Sequence, residues 1–121
     1  MRIYFSGIGG VGIGPLAQIA QDAGHDVIGS DQHESLTTQE LVTRGVLVSS
    51  DQTGAFLEAE HASCPIDWFV YTAALPSDHP ELITAKRLGI HTSKRDELLN
   101  VIINEKDLKL IAVAGTHGKT T

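Results

Sequence analysis

The chain has 121 residues, enough for one compact domain that buries about two-thirds of the surface its unfolded form exposes, with no room for a complete second one. Its 9 Lys and Arg against 15 Asp and Glu leave a formal net charge of −6, which argues against nucleic acid or any other polyanion gathered by long-range attraction. The lone Cys64 excludes an intramolecular disulfide, no apolar run approaches the ~20 residues that cross a bilayer, and "MRIYFSGIGG" meets glycine too early for a secretory signal, so a cytoplasmic protein with no membrane partner is expected.

In chain order, "RIYFSG" is a short β-rich run, "GIGGVGIGP" follows at once, and "LAQIAQDAGH" sets Leu16, Ala17, Ile19, Ala20 and Ala23 at helical spacing. Gly24 ends that helix and "DVIGSD" supplies a second strand, completing a βαβ unit of about thirty residues. "TTQELVTRG" reads as a helix stopped by Gly45, "VLVSS" as the third strand, "TGAFLEAEHA" as a helix, and "DWFVYTA" as a fourth strand, apolar on both faces, with Trp68 in the core. Pro80 suits the first turn of "HPELITAKRLG", Gly89 closes it, and "IHTS" is a short fifth strand. "KRDELLNVIIN" is an amphipathic helix, and "LKLIAVAG" reads as a sixth, apolar strand. The alternation implies a Rossmann-like α/β fold, a doubly wound, mostly parallel five-stranded sheet with helices on both faces. The polar "NEKD" at 104–107 is the one linker-like stretch, so the sixth strand is expected to belong to a different domain.

Gly7, Gly9 and Gly12 fit G-x-G-x-x-G between the first strand and its helix, with Gly10 and Gly14 adding freedom. That chemistry needs glycine because the turn is tight, the backbone must approach a pyrophosphate closely, and the helix N-terminus then offers amides and a favourable dipole. Asp31 follows about 20 residues on, at the end of the second strand, where a carboxylate can accept hydrogen bonds from ribose hydroxyls; Ser30 stands beside it. The plainer reading is a tight turn with Asp31 capping a loop. The pattern leaves NAD and a uridine diphosphate sugar equal, since both present a diphosphate and a ribose.

A second site candidate is "GTHGKTT" at 115–121, in which Lys119 would meet the β- and γ-phosphates of a nucleotide, Thr120 would bind Mg²⁺, and Gly115 and Gly118 would turn backbone amides toward the anion. The strict phosphate-loop pattern fails because position 113 is Val where glycine is required. A surface turn with basic and polar residues is the alternative.

This loop resembles that of the Mur ligases of peptidoglycan synthesis, whose ATP loop reads G-T-[HN]-G-K-T-[ST] without the earlier glycine. Three further segments, "GIGGVGIGPLAQIAQDAGHDVIGSD", "TAALPSDHPEL" and "KRDELL", fall in the order and spacing of the members that join L-alanine to UDP-N-acetylmuramate. Members that attach a whole recycled tripeptide to the same sugar nucleotide share the first and last motifs and differ around residues 72–81. The resemblance implies a three-domain ligase in which residues 1–106 bind the uridine diphosphate moiety on a Rossmann-like sheet without NAD. Residues 107–121 would be the first strand and phosphate loop of a truncated central ATPase domain.

Carried over by position, Gly7, Gly9, Gly10, Val11 and Gly12 would approach the diphosphate, Ser30 and Asp31 would lie near the uridine, and Thr72, Ala73 and Ala74 would complete the pocket. Gly115, Thr116, His117, Gly118, Lys119, Thr120 and Thr121 would hold ATP, with Lys119 and Thr120 in catalytic positions and Thr120 on the metal. The implied reaction phosphorylates the sugar's lactyl carboxylate from ATP, and the amine of L-alanine attacks the acyl phosphate. Phosphorylation supplies the leaving group that a carboxylate lacks, while Lys119 and Mg²⁺ offset charge on the transferring phosphoryl group. With the remaining metal ligands and amino-acid pocket expected beyond Thr121, the chain alone is expected to lack ligase activity and to bind ATP poorly.

Other residues carry weaker signals. His61 and Cys64 have metal-like spacing but no second pair, which favours a helix end. His25, His33 and His91 fall at turns or element ends, and His79 is a candidate to line the pocket. Lys94 and Arg95 are cations at the start of a predicted helix, a poor electrostatic position unless an anion is near. An NAD-binding regulatory module would explain the front half equally well and leaves "GTHGKTT" without a role. A structural role, with the exposed sixth strand pairing a neighbouring chain into an oligomer, is a third possibility.

Overall fold

The computed structural model describes residues 1–10 and 12–114, and its elements alternate without exception. They are β1 (Arg2–Ser6), α1 (Gly14–Asp22), β2 (Asp26–Ser30), α2 (Leu36–Thr43), β3 (Leu47–Ser49), α3 (Ala55–Ser63), β4 (Trp68–Tyr71), α4 (Pro80–Arg87), β5 (His91–Lys94) and α5 (Arg95–Ala114). The strands lie in the order β3-β2-β1-β4-β5, and every pairing is parallel. Parallel neighbours need a crossover, and a helix supplies each one.

Strand periodicity divides the core in two. Ile3 and Phe5 of β1 face a layer formed by Leu16, Ala17 and Ala20 of α1, Leu41 of α2, and Leu98 and Ile102 of α5. Tyr4, between them, faces the other way with Ile28 and Phe69, against Leu57 of α3 and Leu82 and Ala85 of α4. Burying each such large apolar side chain contributes about 1.5–3 kcal/mol. Trp68 is 7 % exposed, and its indole N–H donates to Ser93 Oγ at 2.7 Å, tying β4 to β5.

Three helices end in the same way, with a left-handed glycine after the last turn. Gly24 and His25 donate to Gln21 and Ala20, Gly45 and Val46 to Val42 and Leu41, and Gly89 and Ile90 to Lys86 and Ala85, all at 2.9–3.1 Å. This paired closure satisfies the last carbonyls and turns the chain directly into β2, β3 and β5.

The expected sixth strand is not present among the described residues. Residues 108–114, the apolar run read as that strand, continue α5, which also passes through the "NEKD" stretch read as a linker. Between Arg95 and Ala114 there is neither Gly nor Pro, so no helix breaker interrupts the segment and a helix already formed extends through it. Oligomerisation through an exposed C-terminal strand therefore has no strand to act through among the described residues. No described helix is long and apolar enough to cross a membrane.

Candidate functional site

All five strands run the same way, so the loops after β1, β2, β4 and β5 gather at one edge of the sheet. The connection from β1 leads to β2 on one side while that from β4 leads to β5 on the other, and the diverging loops open a crevice between them. The glycine turn follows β1, Ser30 and Asp31 end or follow β2, Thr72, Ala73 and Ala74 follow β4, and Arg95 follows β5. The topology thus brings the substrate-binding candidates to one edge. Val11 and residues 115–121, the ATP-loop candidates Gly115, Thr116, His117, Gly118, Lys119, Thr120 and Thr121 among them, lie outside the described residues.

The turn begins at Gly7, whose φ of 71° suits glycine, and the amide of Gly10 closes it on the Gly7 carbonyl at 2.9 Å. Gly14 and Ile13 then donate to the Gly10 carbonyl at 2.8 and 3.2 Å, starting α1. No side chain caps α1 and no acidic residue stands in its first turn, so nothing within the helix offsets the positive end of its dipole. The Gly12 amide has no hydrogen-bond partner among the described residues.

The motif glycines have different reasons to be small. A Cβ on Gly9 would lie 2.6 Å from Thr38 Cγ2 and 2.9 Å from Asp31 Oδ2, so α2 and Asp31 already press on that position. The atoms nearest a Cβ on Gly12 would belong to the Arg95 side chain, with Nε at 3.2 Å and Cδ at 3.4 Å. Gly9 is accounted for by packing against α2 and Asp31, whereas the space that a Gly12 side chain would need is bordered by the Arg95 guanidinium.

Asp31 accepts the Gly9 amide on Oδ2 at 2.8 Å and the His33 amide on Oδ1 at 2.9 Å. Two bonds leave a carboxylate with spare acceptor capacity, so the loop-capping and ribose-binding readings are compatible. Asp31 also borders a cavity of about 590 Å³ beyond β2 and β3, shared with His33, Thr38, Gln39, Val42 and Ser49. That volume suits a small-molecule group.

Beneath the crevice lies a network that the sequence did not reveal. Glu81, 0 % exposed in the first turn of α4, accepts Ser6 and Ser30 hydroxyls on Oε1 at 2.7 Å each, and the Tyr4 hydroxyl on Oε2 at 2.5 Å. Gln52 Nε2 donates to Ser30 Oγ at 3.2 Å. The Ser30 hydroxyl, expected near the uridine, is therefore engaged below the crevice floor. Burial, and then the Glu81 carboxylate, push the Tyr4 phenol well above its ordinary value. Glu81 escapes a sequence reading because an acid in the first turn of a helix is favoured by the dipole alone.

Other expected residues are placed plainly. Thr72 is half-buried and accepts the Leu75 amide on its carbonyl at 3.1 Å, while Ala73 and Ala74 are exposed. His79 caps α4, its Nδ1 accepting the Glu81 amide at 3.1 Å. His61 Nδ1 accepts the Ile66 amide at 3.0 Å, and Cys64 is an exposed free thiol. His91 pairs with Glu97 at 2.7 Å.

A parallel sheet in this order, with a glycine turn at its switch point, defines a Rossmann-like α/β domain, a fold in which ligands sit at the carboxyl edge of the strands. The sequence matches the model described as "Mur ligase family, catalytic domain" over residues 2–107. The chain belongs to the Mur ligase family. It is 40 % identical over 121 residues to the UDP-N-acetylmuramate–L-alanine ligase of Caldicellulosiruptor saccharolyticus, covering 99 % of this chain and 25 % of that protein. The crystal structure of the UDP-N-acetylmuramate-alanine ligase of Thermotoga maritima superposes with a TM-score of 0.73 at 27 % identity, over 87 % of this chain and 23 % of the other. The UDP-N-acetylmuramate:L-alanyl-gamma-D-glutamyl-meso-diaminopimelate ligase of Neisseria meningitides shares the fold, with a TM-score of 0.69 at 24 % identity over 81 % of this chain and 29 % of the other. The chain spans about a quarter of the length of the curated relatives it matches.

Proposed function

We propose that this chain is the sugar-nucleotide-binding part of a cytoplasmic, ATP-dependent ligase that joins L-alanine to UDP-N-acetylmuramate in peptidoglycan synthesis. The observation that carries the reading is the glycine turn at the switch point, with its uncapped helix and unpartnered Gly12 amide, in a chain of this family. Gly7, Gly9, Gly10, Val11 and Gly12 form the diphosphate turn. Asp31 serves the ribose, the adjoining cavity receives the nucleobase, and Thr72, Ala73 and Ala74 form the opposite wall. Ser30 acts from below by holding the floor. The choice of L-alanine over a tripeptide rests on relatives bearing the alanine-adding name, which match at 40–43 % identity over nearly the whole chain.

The domain boundary belongs to the same proposal: residues 1–106 bind the sugar nucleotide, and 107–121 lead into an ATP-binding domain. Gly115, Thr116, His117, Gly118, Lys119, Thr120 and Thr121 are the residues that would hold ATP, with Thr120 toward Mg²⁺. When bound, ATP and its metal supply the phosphoryl group that makes a carboxylate oxygen able to leave. The part of this chain seated at the sheet edge binds and orients the sugar nucleotide.

Thermal unfolding with UDP-N-acetylmuramate and with NADH tests the reading. A ligand present at about 100 times its dissociation constant stabilises by about 2.7 kcal/mol, a rise of roughly 10 °C for a domain of this size. UDP-N-acetylmuramate is expected to raise the midpoint and NADH to leave it unchanged. Stabilisation by NADH alone would reject this proposal in favour of a dinucleotide-binding module.

A further inference from the structure

We propose that Arg95 is a substrate-contacting residue, whose guanidinium closes over the glycine turn and binds the diphosphate from the side opposite the backbone amides. The inference rests on the sugar-nucleotide reading of the crevice and adds a side chain from the far end of the sheet. Three observations converge on it. Arg95 Nε lies 3.2 Å from where a Cβ of Gly12 would be, so the cation borders the space that this glycine keeps open. The Gly12 amide has no hydrogen-bond partner among the described residues, and no acidic residue stands in the first turn of α1.

The third observation concerns the arginines as a set. Arg2 holds Glu60 at 2.8 Å, Arg87 holds Glu58 at 3.0 Å, and Arg44 is paired with Asp22. Arg95 has only Asp96 within reach among the described residues, at 3.9 Å, and Asp96 itself is 81 % exposed. Glu97, the other acid in that turn, is engaged by His91 at 2.7 Å. Arg95 also begins α5, where a positive charge opposes the helix dipole. A cation in an unfavourable position, half-exposed and without a close counterion among the described residues, borders the turn that carries the unpartnered Gly12 amide. A diphosphate would satisfy both, since a guanidinium fork matches phosphate oxygens in two-point geometry.

The experiment compares UDP with uridine, which shares the base and ribose but has no phosphate, using NMR titrations of the wild-type chain, Arg95→Ala, Arg95→Gln and Arg95→Lys. The expected result is a UDP dissociation constant about tenfold higher in Arg95→Ala and Arg95→Gln, with uridine affinity within twofold of wild type. Arg95→Lys should fall between, because it keeps the charge and loses the fork. Added salt should weaken UDP binding more in wild type than in the neutral variants. Should Arg95→Ala fail to fold, Arg95→Gln retains the length of the side chain and carries the comparison. Either neutral variant binding UDP as wild type does, or losing UDP and uridine in equal proportion, overturns the role of Arg95 while leaving the crevice assignment intact. A wild-type chain that binds neither UDP nor UDP-N-acetylmuramate brings down the underlying reading as well.

Discussion

Glu81 shows how much can rest on one side chain invisible to sequence reasoning. A buried carboxylate is costly unless hydrogen bonds replace its water, and three hydroxyls from β1 and the end of β2 do so here. The result ties α4 to the floor of the crevice, and Tyr4 is the member most open to a clean test. Tyr4→Phe keeps the ring and removes one donor, so it is expected to cost about 1–3 kcal/mol in denaturant unfolding. The raised phenol value also sets a pH dependence. Because the folded state holds the Tyr4 proton more tightly than the unfolded chain, its contribution is complete below about pH 10, where free phenols titrate, and is lost as pH rises above that. Wild type is therefore expected to lose stability above about pH 10 with a steeper slope than Tyr4→Phe, measured by urea unfolding across that range. None of this was legible in "HPELITAKRLG", since position and residue type suit an ordinary first-turn acid.

Among the elements, the turns were the most readable part of the chain. Gly24, Gly45 and Gly89 each close a helix by the mechanism that their place after an apolar-periodic run implies. Gly54 does something the sequence does not announce. It caps the start of α3 at φ 100°, and a Cβ there would collide with Thr84 Oγ1 of α4 and approach the Pro80 carbonyl at 3.4 Å. Gly54→Ala should cost about 2–3 kcal/mol, from the left-handed backbone and the contact together. In a thermal double-mutant cycle, Thr84→Ala should recover the contact part and leave the backbone part of about 1 kcal/mol. The sixth strand was misread because "LKLIAVAG" is a short apolar run, and periodicity alone does not separate a buried strand from helix. With no breaker before it, α5 simply continues.

For the whole molecule, alternation of strand and helix implied the doubly wound sheet, while the strand order came only from the structure. That order matters because it fixes the switch point between β1 and β4, and with it the crevice. Gly12 and Arg95 are separated by most of the chain, and only the β4–β5 pairing beside β1 brings them together. Sequence spacing could propose each as an anion contact and could not place them side by side. On the proposed function, the carboxyl edge of this sheet holds the diphosphate of a uridine sugar nucleotide. Amide-resolved NMR titration of the chain with UDP-N-acetylmuramate tests it most directly. Saturable shifts concentrated at residues 7–14, 31–33, 72–75 and 94–96 are the expected result; shifts confined to the opposite, amino edge of the strands, or none at millimolar ligand, would contradict it.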